Sequence, residues 1–320
     1  MNILIIKLGA LGDIIISTSI IKKIINHHLK DTIYLLTTPN FKDLFNNFKK
    51  VNVVSFDRRG LKNFINTISW IRKKKFNRIY DLQSNDRTSL YCALSNANYC
   101  AGNHPRFPYS FHPEEKYRGQ CHSFERLNQI IVSAGISPAK PKPSLPATAD
   151  AVSKVDKWIK KHGLEAGNFI IIHAGSSKKH LSKRWPYFVE LAATLSKNIK
   201  IVWIGGNDDI ELNQHLSEFN GINATNEFNV LCLAELGRKA KFAITNDSAP
   251  MHILSCSAIP IYALFGPTNP KRTHALGQHE RVISVPSNFP PDDSKFTPGE
   301  IFKIKLSDVL EKIKRENLIK

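Results

Sequence analysis

Short apolar runs alternate along this chain with longer segments whose apolar positions recur every three or four residues. The runs at Ile3–Leu8, Ile33–Thr37, Val51–Phe56 and Arg78–Leu82 read as buried strands. Helical periodicity predicts helices over Asp13–Leu29, Phe41–Phe48, Leu61–Lys74 and Arg87–Leu94, and another over Ser123–Ala134. Strands and helices alternating at this spacing predict an α/β fold with a doubly wound parallel sheet. Asn103–Pro113 is rich in proline and aromatic residues, has no period and reads as a loop.

Ser137–Pro146 then carries four prolines in ten residues, an extended linker that cannot be helical. Beyond it the alternation restarts. A helix is predicted over 151–162, then strand Phe169–His173, helix Pro186–Lys197, strand Lys200–Ile204, helix Asp208–Phe219 and a short helix at Val230–Arg238. Strand Lys241–Thr245, a helix reaching about Cys256 and strand Pro260–Phe265 follow. Ser287–Gly299 reads as a Pro/Asp/Ser loop, and Ser307–Asn317 as a basic amphipathic helix capped by Ser307. The chain thus divides into domain 1–146, which ends in the linker 137–146, a second domain 147–305, and a closing segment 306–320 expected to pack toward the first domain. Two such domains put a cleft between them, and ligands of these sheets bind beyond the carboxyl ends of the strands.

A length of 320 residues suits two cores. No apolar run approaches the roughly 18 residues of a membrane span. Ile3–Leu8 lacks a basic segment before it and meets Gly-Ala-Leu-Gly-Asp rather than a cleavage site, so a cytoplasmic protein is expected. The five cysteines show no metal-type spacing and read as structural thiols. The net charge of +18 is uneven: residues 1–150 hold 22 Lys/Arg against 10 Asp/Glu. The first half should therefore meet an anionic partner, such as nucleic acid, a phospholipid surface or a phosphorylated substrate.

The strand-end loops carry the candidate chemistry. Lys7-Leu8-Gly9-Ala10-Leu11-Gly12-Asp13 is neither a dinucleotide fingerprint nor a P-loop. Asp13 is either a helix cap or a carboxylate available as a general base. Ala174-Gly175-Ser176-Ser177, followed by the basic stretch 178–184, suits a diphosphate. Gly205-Gly206-Asn207 lets a ligand lie against the backbone. Asn246, Asp247 and Ser248 read as caps of the next helix, with Pro250 in its first turn and His252 one turn in. Metal binding is poorly supported, since Asp208-Asp209 and Asp292-Asp293 are adjacent pairs and no HExxH occurs. Gly-x-Ser-x-Gly is absent as well.

In these motifs, taken with Asp81-Leu82-Gln83, Arg87, His122-Ser-Phe-Glu-Arg, Lys183-Arg184-Trp185-Pro186 and Phe265–Thr268, the chain resembles the ADP-heptose:lipopolysaccharide heptosyltransferases, glycosyltransferase family nine. The resemblance spans nearly the whole length. It implies a GT-B architecture, with two Rossmann-like doubly wound domains facing across a cleft, the acceptor on the first and the nucleotide-sugar on the second. It implies inverting, metal-independent transfer of a heptose or related sugar, with ADP-heptose the expected donor, onto the lipopolysaccharide inner core. No cofactor is implied, because the nucleotide-sugar is a substrate.

By position, Asp13 becomes the general base and Lys183 the cation that neutralises the leaving diphosphate, with Ser176 and Ser177 donating to it. Asp247, Ser248, Ala249 and His252 hold the sugar and phosphates, and Gly205, Gly206 and Asn207 flank the nucleoside. Gly9, Gly12, Arg58, Arg59, Lys62 and His122 fall to the acceptor, a phosphorylated core on lipid A. Arg72–Lys75 is expected to be a solvated or membrane-facing surface, consistent with peripheral contact at the cytoplasmic face of the inner membrane. Phe107, Tyr109 and Phe111 are assigned either to acceptor or lipid contact or to core packing. The family's His-Pro-Gly and Asp-Ser/Thr-Gly are His173-Ala174-Gly175 and Asp247-Ser248-Ala249 here. The alternatives are another GT-B enzyme (a non-heptose transferase or a sugar-nucleotide epimerase) or a non-catalytic binder of anionic glycolipid. No helix-turn-helix, zinc finger or aromatic-basic RNA motif supports nucleic acid.

Overall fold

The computed structural model describes residues 1–115, 121–285 and 299–319. The chain splits into two compact units, Met1–Pro146 and Ala147–Lys320, so the break falls at the last proline of the linker.

In the first unit, β1 (Asn2–Ile6), α1 (Leu11–His27), β2 (Thr32–Thr37), α2 (Lys42–Phe45), β3 (Asn52–Ser55), α3 (Leu61–Lys74), β4 (Arg78–Asp81), α4 (Asp86–Ala93), β5 (Tyr99–Ala101) and α5 (Ser123–Ser133) follow in order. The sheet runs β3-β2-β1-β4-β5, with every pair parallel. β1 is central and buried on both faces, which is why its sequence is a continuous apolar run rather than an alternation. α1 buries seven isoleucines, among them Ile14, Ile20 and Ile24. α4 is held at its start by a reciprocal cap, Asn85 with Thr88. β5 forms between the expected helix Arg87–Leu94 and the expected loop Asn103–Pro113, where the sequence reading assigns no element. It is three residues long, too short to show a period, and is defined by its pairing to β4 and by a bridge from Ala101 to Phe111.

The second unit contains α6 (Ala149–Lys161), β6 (Phe169–His173), α7 (Phe188–Leu195), β7 (Lys200–Trp203), α8 (Ile210–Phe219), β8 (Ile222–Asn223), α9 (Val230–Lys239), β9 (Ala243–Asn246), α10 (Ala249–Ser255), β10 (Ile261–Phe265), α11 (Pro270–Thr273), β11 (Val282–Ser284) and α12 (Leu306–Lys314). The sheet order is β11-β10-β9-β6-β7-β8, again parallel. The edge strands β8 and β11 were not foreseen, for the same reason as β5. The expected loop at Ser287–Gly299 lies almost wholly outside the described residues.

α12 differs from expectation in two ways. Val309 and Ile313 are buried in the second unit's core, and the helix packs on α7 and β11, whereas the sequence reading sent it toward the first domain. Its cap is also not Ser307: the Asp308 carboxylate accepts the Lys305 N–H at 2.9 Å, reaching back to the helix start.

Candidate active site

In both sheets one feature decides where side chains converge. The first sheet reverses its strand order between β1 and β4, and the second between β6 and β9. At such a switch point the loops leaving two neighbouring strands diverge and open a crevice beyond the strand ends.

In the first unit that crevice lies between Lys7–Asp13, after β1, and Leu82–Ser84, after β4. A cavity of about 190 Å³ there is lined by Lys7, Asp13, Gln83, Ser84, Asn103 and Arg126, among others. α1 has Ala10 as N-cap with no side-chain cap, and Asp13 lies in the first turn. Capping is therefore not the task of Asp13, which lines the cavity. Gln83 ties the two loops, accepting from the N–H groups of Leu8 and Gly9 at 3.1 and 3.2 Å. Gly9 has φ +144°, and a Cβ there would stand 3.2 Å from the Phe41 ring, so glycine is required.

Two cations flank Asp13. The Lys7 ammonium is buried and donates to the Leu82 carbonyl at 3.1 Å. Burial pushes its pKa down, partly offset by the charges of Asp13 and Asp81 and reinforced by Arg126. Beneath them the fully buried Asp81 accepts the N–H groups of Gln83 and Ser84 at 3.0 and 2.8 Å and the Tyr109 hydroxyl at 2.5 Å. Burial raises the pKa of Asp81 in spite of these bonds. Tyr109 is thereby a core residue, whereas Phe107 is 83% exposed.

The other residues assigned to the acceptor are more scattered. Gly12 is in the first turn of α1. His122 is buried and caps α5, its ring accepting the Phe124 N–H at 3.1 Å, while its neighbours Ser123 and Arg126 line the cavity. Arg58, Arg59 and Lys62 are exposed after β3 and do not line it. Arg87 lies over the Phe64 ring, 5.3 Å from its centroid.

In the second unit the switch point gathers residues far apart in sequence. The Lys183 ammonium pairs with the Asp247 carboxylate at 2.6 Å, and Thr268 donates to the same oxygen at 2.7 Å. Asn246, Asp247 and Ser248 were expected to cap α10; none does so through its side chain. Asn246 instead donates to the Ala174 carbonyl at 2.7 Å, bracing β9 against the loop after β6. Ser248 contacts the His173 ring, with Oγ 3.0 Å from Nδ1. The reason is topological: β9 ends beside β6, so these polar groups meet a neighbouring strand end before they meet their own helix.

The Ser176 hydroxyl is buried and donates to the His180 carbonyl at 2.9 Å, which leaves Ser177 the exposed hydroxyl of the pair. A Cβ on Gly175 would lie 2.0 Å from an Asp209 oxygen, and one on Gly205 would lie 2.7 Å from Asp209 Cβ. Both glycines thus serve close packing on Asp209, whereas Gly206 has open space above it. The Asn207 side chain accepts from Asn226 at 2.9 Å. Ala249 is half-buried and His252 buried in α10. Arg184 and Thr268 lie in motifs that the sequence marks, without an individual role there, whereas Asp209 is missed by sequence reading. Asp209 was weighed only as half of an acidic pair, and nothing local distinguishes it from its exposed neighbour Asp208.

Among the described residues, no group of three or more His, Cys, Asp or Glu side chains is arranged to hold a metal ion. Asp208 accepts the Lys178 N–H at 3.2 Å, and Asp209 pairs with Arg184.

Two parallel Rossmann-like sheets, each with its polar cluster at the switch point, define a protein of the GT-B class. Residues 70–298 match the profile of Glycosyltransferase family 9 (heptosyltransferase), and the chain belongs to that family; it is a glycosyltransferase. It resembles the lipopolysaccharide core heptosyltransferase OpsX of Haemophilus influenzae, with 20% identity over 306 residues, 89% of this chain and 84% of that protein. Among solved structures, the glycosyl transferase family 9 protein of Veillonella parvula DSM 2008 is similar over 99% of this chain and 96% of its own (TM-score 0.84, 22% identity). The E. coli ADP-heptose lps heptosyltransferase II is similar over 98% of each chain (TM-score 0.74, 19% identity).

Proposed function

We propose that this protein transfers a heptose from ADP-heptose to the lipopolysaccharide inner core, with inversion and without a metal ion. The observation that carries the reading is Asp13, which is not used as a helix cap and lines a cavity flanked by Lys7 and Arg126. A carboxylate in that setting suits an acceptor that brings both a hydroxyl to be deprotonated and a negative charge to be held.

The acceptor oxygen attacks the anomeric carbon from the face opposite the diphosphate and forms the new glycosidic bond. The bond from that carbon to the phosphate oxygen breaks, and its electron pair leaves on ADP. The acceptor proton passes to Asp13, becoming more acidic as its oxygen bonds to carbon. Lys183 neutralises the leaving diphosphate, assisted by the hydroxyl of Ser177 and the N–H groups of its loop, so that fixed cations and dipoles do the work a metal would do. Asp247, now paired with Lys183, keeps that ammonium in place until the donor arrives.

Arg58, Arg59 and Lys62 suit the more distant phosphates of the acceptor. The exposed Arg72, Lys73 and Lys75 suit contact with an anionic bilayer at the cytoplasmic face of the inner membrane. No helix among the described residues is long and apolar enough to cross a membrane.

A donor panel tests the reading. ADP-heptose should raise the melting temperature, since a ligand that binds only the folded state stabilises it. It should also yield a heptosylated core when a heptose-deficient lipopolysaccharide is supplied. Stabilisation by a different sugar nucleotide, or turnover of the donor without any acceptor, would replace the proposal by a non-heptose transferase or an epimerase.

A further inference from the structure

The strongest unassigned feature lies beneath the second unit's site. Asp209 is 5% exposed and belongs to no motif. One carboxylate oxygen accepts the Gly206 N–H at 3.1 Å and faces His173 Nε2 at 3.5 Å; the other accepts from Arg184 at 3.2 Å. Arg184 also donates to the carbonyls of Ser176 and Asp208, each at 3.1 Å. Burial opposes ionisation of Asp209, but His173, the Gly206 N–H and Arg184 outweigh it and hold its carboxyl below the usual range. One buried anion thus joins the loops after β6 and β7 and the basic stretch that carries Lys183.

The consequence lies on the far side of the imidazole. A bare Nε2 lone pair facing a carboxylate would be repelled, so Nε2 carries the proton. In the neutral ring Nδ1 is then an acceptor, and the group beside it is the Ser248 hydroxyl, 3.0 Å away. Among the described residues, the other acceptor near that hydroxyl is the Asn246 carbonyl at 3.3 Å, which is also internal. The proton of Ser248 is spent inward, and only a lone pair remains to face a ligand.

We propose that Asp209 is a positioning residue which, through the His173 tautomer, makes Ser248 a hydrogen-bond acceptor reserved for a hydroxyl of the transferred sugar. A phosphate oxygen cannot donate to it. The strand order assigns that hydroxyl to the sugar, because β9, β6 and β7 are neighbours in that sequence across the sheet. With the nucleoside beyond β7 and the diphosphate beyond β6, the sugar lies beyond β9, at Ser248. This last step rests on the nucleotide-sugar reading above; the Asp209–His173–Ser248 relay does not.

Two measurements test it. In protein labelled with ¹⁵N-histidine, with His173 assigned by His173→Gln, Nδ1 should appear as a bare nitrogen and Nε2 as a protonated one. Asp209→Asn should abolish that single tautomer. A protonated Nδ1 in the wild type, or an unchanged tautomer in a folded Asp209→Asn, overturns the relay. Ser248→Ala keeps Asp209 intact and guards against an unfolded Asp209 variant. It should weaken ADP-heptose by about three- to tenfold, the loss of one hydrogen bond, while leaving ADP affinity unchanged. Equal weakening of both ligands, or of neither, overturns the assignment to the sugar. If the wild type binds ADP but not ADP-heptose, the proposed donor is wrong, and the tautomer measurement still decides the relay.

Discussion

Replacing Lys183 by alanine is the sharpest perturbation of the proposed chemistry. The ammonium lies 2.6 Å from one oxygen of Asp247, and Asp247 is the more buried partner, with side-chain exposures of 19% and 9%. Without Lys183 the site loses a positive charge and keeps a carboxylate that, among the described residues, is steadied by the Thr268 hydroxyl. The diphosphate, itself anionic, then meets a net negative charge. A unit charge about 4 Å away at an effective dielectric near 20 is worth about 4 kcal/mol. Discounted for partial exposure to about 3 kcal/mol, this is roughly a hundredfold in rate.

The assay is steady-state kinetics with ADP-heptose and acceptor varied independently. Lys183→Ala should lower kcat/KM for the donor by about a hundredfold and leave the acceptor KM within about twofold. Because the repulsion comes from Asp247, the double variant Lys183→Ala/Asp247→Asn should recover about tenfold of that loss unless Asp247 also touches the sugar. Stability should change by no more than about 1 kcal/mol, the worth of a partly exposed pair. A Lys183→Ala enzyme within about threefold of wild type in rate and donor affinity would refute the role given to this cation.

The remaining predictions concern the other unit and the scaffold. Asp13→Asn should cut turnover by about 10²–10⁴-fold while ADP-heptose still raises the melting temperature; near-normal turnover in the folded variant removes Asp13 as base. Arg126→Ala should raise the acceptor KM severalfold and leave the donor KM alone, and a change in donor KM would show that the cavity is misassigned. Gly175→Ala should cost about 1–3 kcal/mol, because the new methyl falls on the buried Asp209 carboxylate; an unchanged urea midpoint contradicts that packing. His28 is buried between Asp31 and Tyr80 at 2.8 and 2.9 Å. Burial lowers its pKa despite Asp31, so its contribution is full above the unfolded value near 6.5 and is lost as pH falls through the lowered one. His28→Gln should flatten the loss of urea resistance as pH falls below about 6.5, and an unaltered acid limb would show that another group is responsible.

Much of this molecule was legible before any coordinate. The apolar run of β1 and the four prolines before Ala147 are local signals of burial and stiffness, and each marks what it should; Gly9 has the positive φ that glycine adopts freely, whereas the group that closely approaches Gly205 is Asp209. Strand ends could be found in the same way, so Asp13, Lys183 and Asp247 were singled out by position. Short edge strands were lost because three residues cannot display a period. Ser248 does stand at the N-cap of α10, but its side chain and the expected cap of α12 went elsewhere because local capping rules compete with partners that sequence does not display.

The sequence by itself determined the α/β alternation, the two-unit division and the positions of the polar strand-end loops, since these depend on interactions within a few residues. Only the tertiary structure decided how those loops are spent. Asn246, Asp247 and Ser248 find partners 64 to 75 residues away, at Ala174, Lys183 and His173. They do so because the crossovers of a parallel sheet bring β6 and β9 side by side. Asp209 has the same origin: His173 and Arg184 reach it from the end of β6 and the loop that follows, Gly206 from its own loop after β7, and a carboxylate becomes a buried hub only when the fold sets those two strand ends side by side.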